Sequence, residues 1–163
     1  MKAYVIREII GEEIEESAKV IRESFRTVAD DFNFTYENNP MHGAFLKKER
    51  LENERQQGIE LYGMFVENKQ VGFVALEKLR DGAYEMQKLS VLPAFRHLGY
   101  GEALVDFIKQ TVIEKGGKRI VIGTIANNNI LRKWYEKLDF KMEEIRSFKH
   151  IPFEVGIMGC FIK

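Results

Sequence analysis

Between Tyr84 and Gln110 the chain reads YEMQKLSVLPAFRHLGYGEALVDFIKQ, a strand, a proline turn, a glycine-bearing loop and an amphipathic helix in immediate succession. Tyr84–Val91 is predicted as a strand that Pro93 ends, because proline supplies no ladder N–H. The helix that follows repeats apolar residues at Leu104, Phe107, Ile108, Thr111 and Val112. A helix start leaves backbone amides unpaired and carries the positive end of the helix dipole. Gly99 and Gly101 let the backbone come close to a ligand, and Arg96 adds a full charge, an arrangement suited to a phosphate or pyrophosphate. A purely structural Gly-rich turn is the alternative on the loop alone. A Rossmann fingerprint requires a third glycine where Leu104 stands, and no Gly-Lys-Ser/Thr of a Walker A loop is present.

The second informative string runs from Asn128 to Phe140, NNILRKWYEKLDF. It reads as a short helix through Lys137, with Asn127 or Asn128 as N-cap and Leu131, Trp134 and Leu138 as its buried stripe. Spacing alone makes Tyr135 an amphipathic side chain at the domain surface.

The elements around these motifs predict one α/β domain over residues 1–163, a length sufficient for a proper core. Ala3–Ile9 is a strand and Glu12 to about Val28 a helix. Residues 30–40 form a loop, and a solvent-facing helix runs from Met41 to Gln57. Ile59–Glu67 and Val71–Leu79 are strands around an Asn68-Lys69-Gln70 turn, and Arg80-Asp81-Gly82 turns into the central strand. Gly116-Gly117 stops the central helix. Lys118–Thr124 is a strand buried on both faces, and Phe140–Phe148 and Phe153–Ile162 form a final antiparallel pair. The order β-α-α-β-β-β-α-β-α-β-β implies a mixed, mostly antiparallel sheet with helices on both faces.

Leu89-x-Val91-x-Pro93-x-x-Arg96-x-x-Gly99-x-Gly101 closely resembles the acetyl-CoA loop of the Gcn5-related N-acetyltransferases, the GNAT family. Asn128, followed seven residues on by Tyr135 in a Tyr-Glu-Lys-Leu-x-Phe run, resembles the family's later motif. The resemblance covers Glu85 to Phe140; the first 80 residues match only in the order of predicted elements. Two positions depart from the pattern. Asp139 stands for the usual glycine at a site where Asp tolerates a left-handed backbone, and His97 stands where Gly or Lys is commoner.

The resemblance implies the GNAT acyl-CoA N-acyltransferase fold and an acyltransferase moving acetyl from acetyl-CoA to a primary amine by direct attack. The pyrophosphate would sit on the amides of His97, Leu98, Gly99, Tyr100 and Gly101, with Arg96 at the loop's start. Leu89 and Val91 would pair with the pantetheine arm, and Asn128 would contact the cofactor. Tyr135 would protonate the departing thiolate. Glu85 would serve as base, resembling the strand glutamate of histone-type members; the alternatives are a solvated strand-face Glu85 with water as base. A non-catalytic acyl-CoA-binding sensor and a nucleotide-binding domain are the competing functions.

Composition narrows the partners. Twenty-five basic residues balance twenty-five acidic ones, so no general attraction to nucleic acid or anionic membrane is expected. Residues 1–40 hold nine acidic and five basic side chains, either a solvated helix face or a draw for a cationic amine. The N-terminus turns acidic too early for a signal peptide, and no apolar run approaches the ~20 residues that span a bilayer, so a cytoplasmic location is expected. His42, His97 and His150 are scattered and Cys160 lies apart from them, so no metal is expected. Cys160 reads as a buried small hydrophobe. The aromatic stretch Phe32 to Tyr36 either lines an acceptor pocket or packs on the sheet. A homodimer through the last strand or the long helix is compatible with such a domain, and nothing in the sequence requires one.

Overall fold

Among the described residues, seven strands form one sheet, β1 (Val5–Glu8), β2 (Glu60–Val66), β3 (Lys69–Lys78), β4 (Ala83–Val91), β5 (Arg119–Ile125), β6 (Lys141–Arg146) and β7 (Val155–Phe161). The computed structural model describes residues 1–162. Strand order is β1-β2-β3-β4-β5-β7-β6, with every neighbour antiparallel except β4 and β5. A parallel pair cannot be closed by a hairpin, and here the crossover is made by α3 (Tyr100–Glu114). The expected mixed, mostly antiparallel sheet is therefore observed.

Helices cover both faces. α1 (Ile14–Asp31) buries Ile14, Ala18 and Ile21, and its Ser17 hydroxyl bonds the Gln70 amide oxygen of β3 at 3.0 Å, which satisfies a polar group inside the core. α3 takes the opposite face, where Leu104 lies against Gly72, and Phe107 meets Tyr62 edge-on at 5.0 Å. α2 (Lys48–Gln56) and α4 (Asn129–Lys137) complete the set.

Three expected boundaries are corrected. The helix expected over Met41–Gln57 is a 3-10 turn at Gly43–Phe45, an extended Leu46-Lys47, and then α2. Leu46 (φ −63°, ψ 133°) and Lys47 (φ −103°, ψ 151°) are extended, so the helix begins only at Lys48. The His42 ring also caps that turn, its Nδ1 accepting from the Ala44 amide at 3.2 Å. The β2–β3 turn is Glu67-Asn68 rather than Asn68-Lys69-Gln70. Both turn residues have positive φ (51° and 65°), and Val66 pairs with Lys69 across them. This is the two-residue geometry whose twist suits a hairpin. Finally, α1 continues three residues past Val28.

The aromatic stretch packs rather than opening a pocket. Phe34 stacks with Phe32 and meets His42, whose ring also contacts Phe25 and Phe45. Enclosure lowers the His42 pKa to about 4. Phe34 also reaches Phe153 of the β6–β7 connection at 5.3 Å, which links the loop after α1 to that connection.

Candidate active site

β4 and β5 are paired only at their beginnings, Ala83 with Arg119, Tyr84 with Ile120 and Glu85 with Val121. β5 then runs on with β7 as far as Ile125. β4 instead bulges, since Gln87 faces Ala75 and Ser90 faces Phe73, leaving Lys88 and Leu89 opposite the single residue Val74. Lys88 sits at φ 53°. Such a bulge bends the strand and adds twist, so the two strands part and leave an opening at their carboxyl ends. In an open α/β sheet that is where ligands enter.

The glycine loop borders this opening. A 3-10 turn at Pro93–Phe95 leads to an extended Arg96, then His97 at φ 61° and Gly99 at φ 91°. The first intrahelical bond of α3 runs from the Ala103 amide to the Gly99 carbonyl at 3.1 Å. The amides of Tyr100, Gly101 and Glu102 precede it and form the open helix end. Tyr100 and Leu98 contribute backbone only: the Tyr100 ring is buried, with its hydroxyl accepting from the Lys2 amide at 3.0 Å, and the Leu98 side chain is exposed.

The two glycines have different reasons. Gly99 occupies a left-handed conformation, whereas Gly101 lies against α4: a Cβ there would be 3.3 Å from Trp134 Cζ2 and 3.9 Å from Val91 Cγ2. The second motif therefore packs directly on the first. Arg96 does not project as a loose phosphate ligand. Its guanidinium donates to Val91 O at 3.2 Å, Thr27 Oγ1 at 3.0 Å and Ser24 O at 2.6 Å, bracing the loop against α1. Burial lowers its pKa.

On α4, Asn128 is the N-cap, its side-chain oxygen accepting from the Leu131 amide at 3.2 Å. Its NH₂ end remains for a ligand. Tyr135 corrects the spacing-based reading. It is the buried residue of the helix, at 6 % exposure, while Leu131 and Trp134 are half-buried. Its ring meets Trp134 edge-on at 4.9 Å and Phe140 at 5.5 Å. Burial pushes its phenol above the ordinary value.

Glu85 stands at the last β4–β5 pair, where the strands separate, and faces Glu77 across β3. Gln87 donates to both carboxylates, to Glu77 at 3.1 Å and to Glu85. Burial raises the Glu85 pKa; the Gln87 bond works against this and the Glu77 charge adds to it. Beside them Lys88 donates to Glu54 of α2. Among the described residues no group of three His, Cys, Asp or Glu is placed to hold a metal, and no helix is long and apolar enough to cross a membrane.

Residues 23–140 match the acetyltransferase (GNAT) family. The chain belongs to that family. Among curated relatives, uncharacterized N-acetyltransferases of Mycobacterium tuberculosis and Mycobacterium bovis are 29% identical over 79 residues, 48% of this chain. The match spans about half the length of those relatives, at 51%. The ribosomal-protein-S18-alanine N-acetyltransferase of Escherichia coli superposes with a TM-score of 0.78 at 13% identity, covering 99% of this chain and 95% of that one. The PaiA N-acetyltransferase of Thermoplasma acidophilum, solved in complex with coenzyme A, gives 0.78 at 23% identity, covering 98% and 99%. Both share the GNAT fold with this chain.

Reading the GNAT motifs alone misses Lys88, Ser90, Glu54, Glu77 and Gln87. One signal of the bulge is present in the sequence. Apolar residues of β4 fall at Tyr84 and Met86, then shift phase to Leu89 and Val91, with Lys88 at the slip. A strand whose inward positions change parity must contain an extra residue.

Proposed function

We propose that this GNAT domain transfers an acetyl group from acetyl-CoA to a primary amine within a ternary complex. The observation that carries the reading is the parting of β4 from β5 at a bulge, beside a helix N-terminus whose loop holds His97 and Gly99 at positive φ. Such a cradle of amides suits a pyrophosphate, and the coenzyme A complex of the Thermoplasma neighbour supports the same ligand here.

Acetyl-CoA supplies the thioester that a free amine attacks. The chain's part is mainly alignment: the amides of residues 97–101 hold the diphosphate, Leu89 and Val91 direct the arm along β4, and the Asn128 NH₂ donates to it. Holding two reactants in register is worth ~7–11 kcal/mol of barrier. The Leu89 N–H donates to the carbonyl oxygen as it gains charge, a contact of a kind worth ~2.7–4 kcal/mol. Glu85, poised above the ordinary carboxylate range, takes the ammonium proton, directly or through water. Glu77 beside it adds a second carboxylate attractive to a cationic acceptor.

Tyr135 stays protonated because burial disfavours its phenolate. With a free thiol titrating near ~8.5, complete transfer from this phenol is uphill. Its contribution is a hydrogen bond to the leaving sulfur rather than obligatory protonation.

Thermal unfolding with acetyl-CoA, CoA, ATP and NAD in parallel tests the assignment. At ~100 times Kd a ligand stabilises by ~2.7 kcal/mol, roughly 5–10 °C for a domain of this size. A rise with acetyl-CoA and CoA only is expected, followed by thiol release with an amine from a panel. A rise with ATP or NAD alone refutes the reading. CoA binding without release from any amine points to an acyl-CoA-binding domain without chemistry.

A further inference from the structure

The bulge of β4 is held by side chains that the chemistry above does not use. Lys88 takes φ 53°, which a residue with a Cβ adopts rarely, so its surroundings must impose it. Two contacts do so. The Ser90 hydroxyl, buried at 2 % exposure, donates to the Lys88 carbonyl at 2.8 Å. The Lys88 ammonium reaches across to Glu54 of α2, and both side chains are nearly out of solvent, at 11% and 13%. Arg50 on the same helix steadies Glu54 at 3.5 Å, and Gln87 Oε1 lies 3.4 Å from the Lys88 nitrogen.

A buried ion pair adds little net stability compared with apolar residues of similar size, so its effect is read better in geometry than in energy. The geometry here is specific. The Lys88 carbonyl and the Leu89 N–H belong to one planar trans peptide unit, so fixing the direction of the first fixes that of the second. Ser90 holds that carbonyl from one side, and Glu54 holds the preceding side chain from another.

We infer that Glu54 and Ser90 are positioning residues that clamp the Lys88–Leu89 peptide so that the Leu89 N–H points at the acetyl carbonyl. The inference rests on the acetyl-transfer reading. It also gives α2, through Glu54, a direct mechanical link to the β4 bulge.

The test is carbon NMR of acetyl-CoA labelled at the acetyl carbonyl, with CoA affinity measured in parallel by calorimetry. A carbonyl oxygen that accepts a strong hydrogen bond moves its carbon resonance downfield. CoA has no acetyl group and reports only on the rest of the site. In Glu54→Gln and Ser90→Ala, CoA affinity is expected to match the wild type while the downfield displacement on binding is lost. The charge-exchanged pair Glu54→Lys with Lys88→Glu is expected to regain it. If Glu54→Gln does not fold, Ser90→Ala, which keeps the ion pair, carries the test. Full displacement in both single variants overturns the clamp. Equal loss of CoA affinity also overturns it, because the contacts would then be general supports. Wild-type protein that binds CoA but leaves the carbonyl resonance unmoved removes the role of Leu89 and the clamp with it. Wild-type protein with no CoA affinity refutes the acetyl-transfer reading itself.

Discussion

Replacing Gly99 by alanine separates conformational strain from ligand contact. Gly99 holds φ 91° at the N-cap of α3, and the nearest atom to a Cβ built there is Met1 Sδ at 3.6 Å. No clash is therefore added; the cost is backbone strain, about 1–2 kcal/mol for an L-residue in the left-handed region. That energy must appear somewhere. If the loop keeps its shape, the protein loses the whole amount in stability, about 2–8 °C in Tm at ~2–4 °C per kcal/mol for this size. If the free loop relaxes instead, Tm is spared and CoA must restore the strained form, weakening binding by about 5- to 30-fold. The two losses sum to the same strain. Differential scanning fluorimetry and calorimetric titration with CoA measure them on one sample. A variant unchanged in both would refute the claim that this position requires glycine.

Arg96→Ala is expected to cost mainly stability, about 2 kcal/mol, because three hydrogen bonds to Val91, Thr27 and Ser24 are lost. A large loss of CoA affinity with no fall in Tm would make it a phosphate ligand instead. Glu85→Gln is expected to remove the acid limb of the pH–rate profile, which in the wild type lies above the ordinary glutamate range. Because the folded pKa is raised, the native state binds more protons than the unfolded one above pH ~4.5. Wild-type stability therefore declines as pH rises through that window, and the glutamine variant should lack the decline. An unchanged rate profile assigns proton removal to water. Tyr135→Phe is expected to lower kcat by up to about 10²-fold with CoA affinity intact; an unchanged kcat removes the residue from the chemistry.

What could be read from the sequence was local. The Pro93 stop, the Gly99 turn and the Asn128 cap depend on a few adjacent residues, and the structure keeps all three, although α3 begins already at Tyr100 and takes in Gly101. The Asp139 turn adopts φ 72°, a left-handed conformation that Asp tolerates. Long-range relations were not accessible. Nothing near Arg96 in the chain indicates that Ser24 and Thr27 will surround it, and nothing near Gly101 announces Trp134. Helical spacing assigned Trp134 to the interior and Tyr135 to the surface. The ring of Tyr135 is nevertheless the more deeply buried, enclosed by Trp134 and by Phe140 beyond the helix end. The stretch from Met41 failed because the extended Leu46-Lys47 break is hidden within a charged segment whose composition favours helix.

The pairing of β4 with β5 is brief: three residue pairs join them, whereas seven join β5 to β7. The hydrogen-bond ladder of the sheet thus falls into two ribbons, β1 to β4 and β5-β7-β6, stitched at one end, while side chains of both share one core. Amides along such a seam open at lower free energy than those inside either ribbon. An extended ligand lying in the gap would supply the cross-links that the backbone omits there. Cofactor loading would then raise the opening free energy along the seam more than elsewhere, so that hydrogen exchange there would slow on binding.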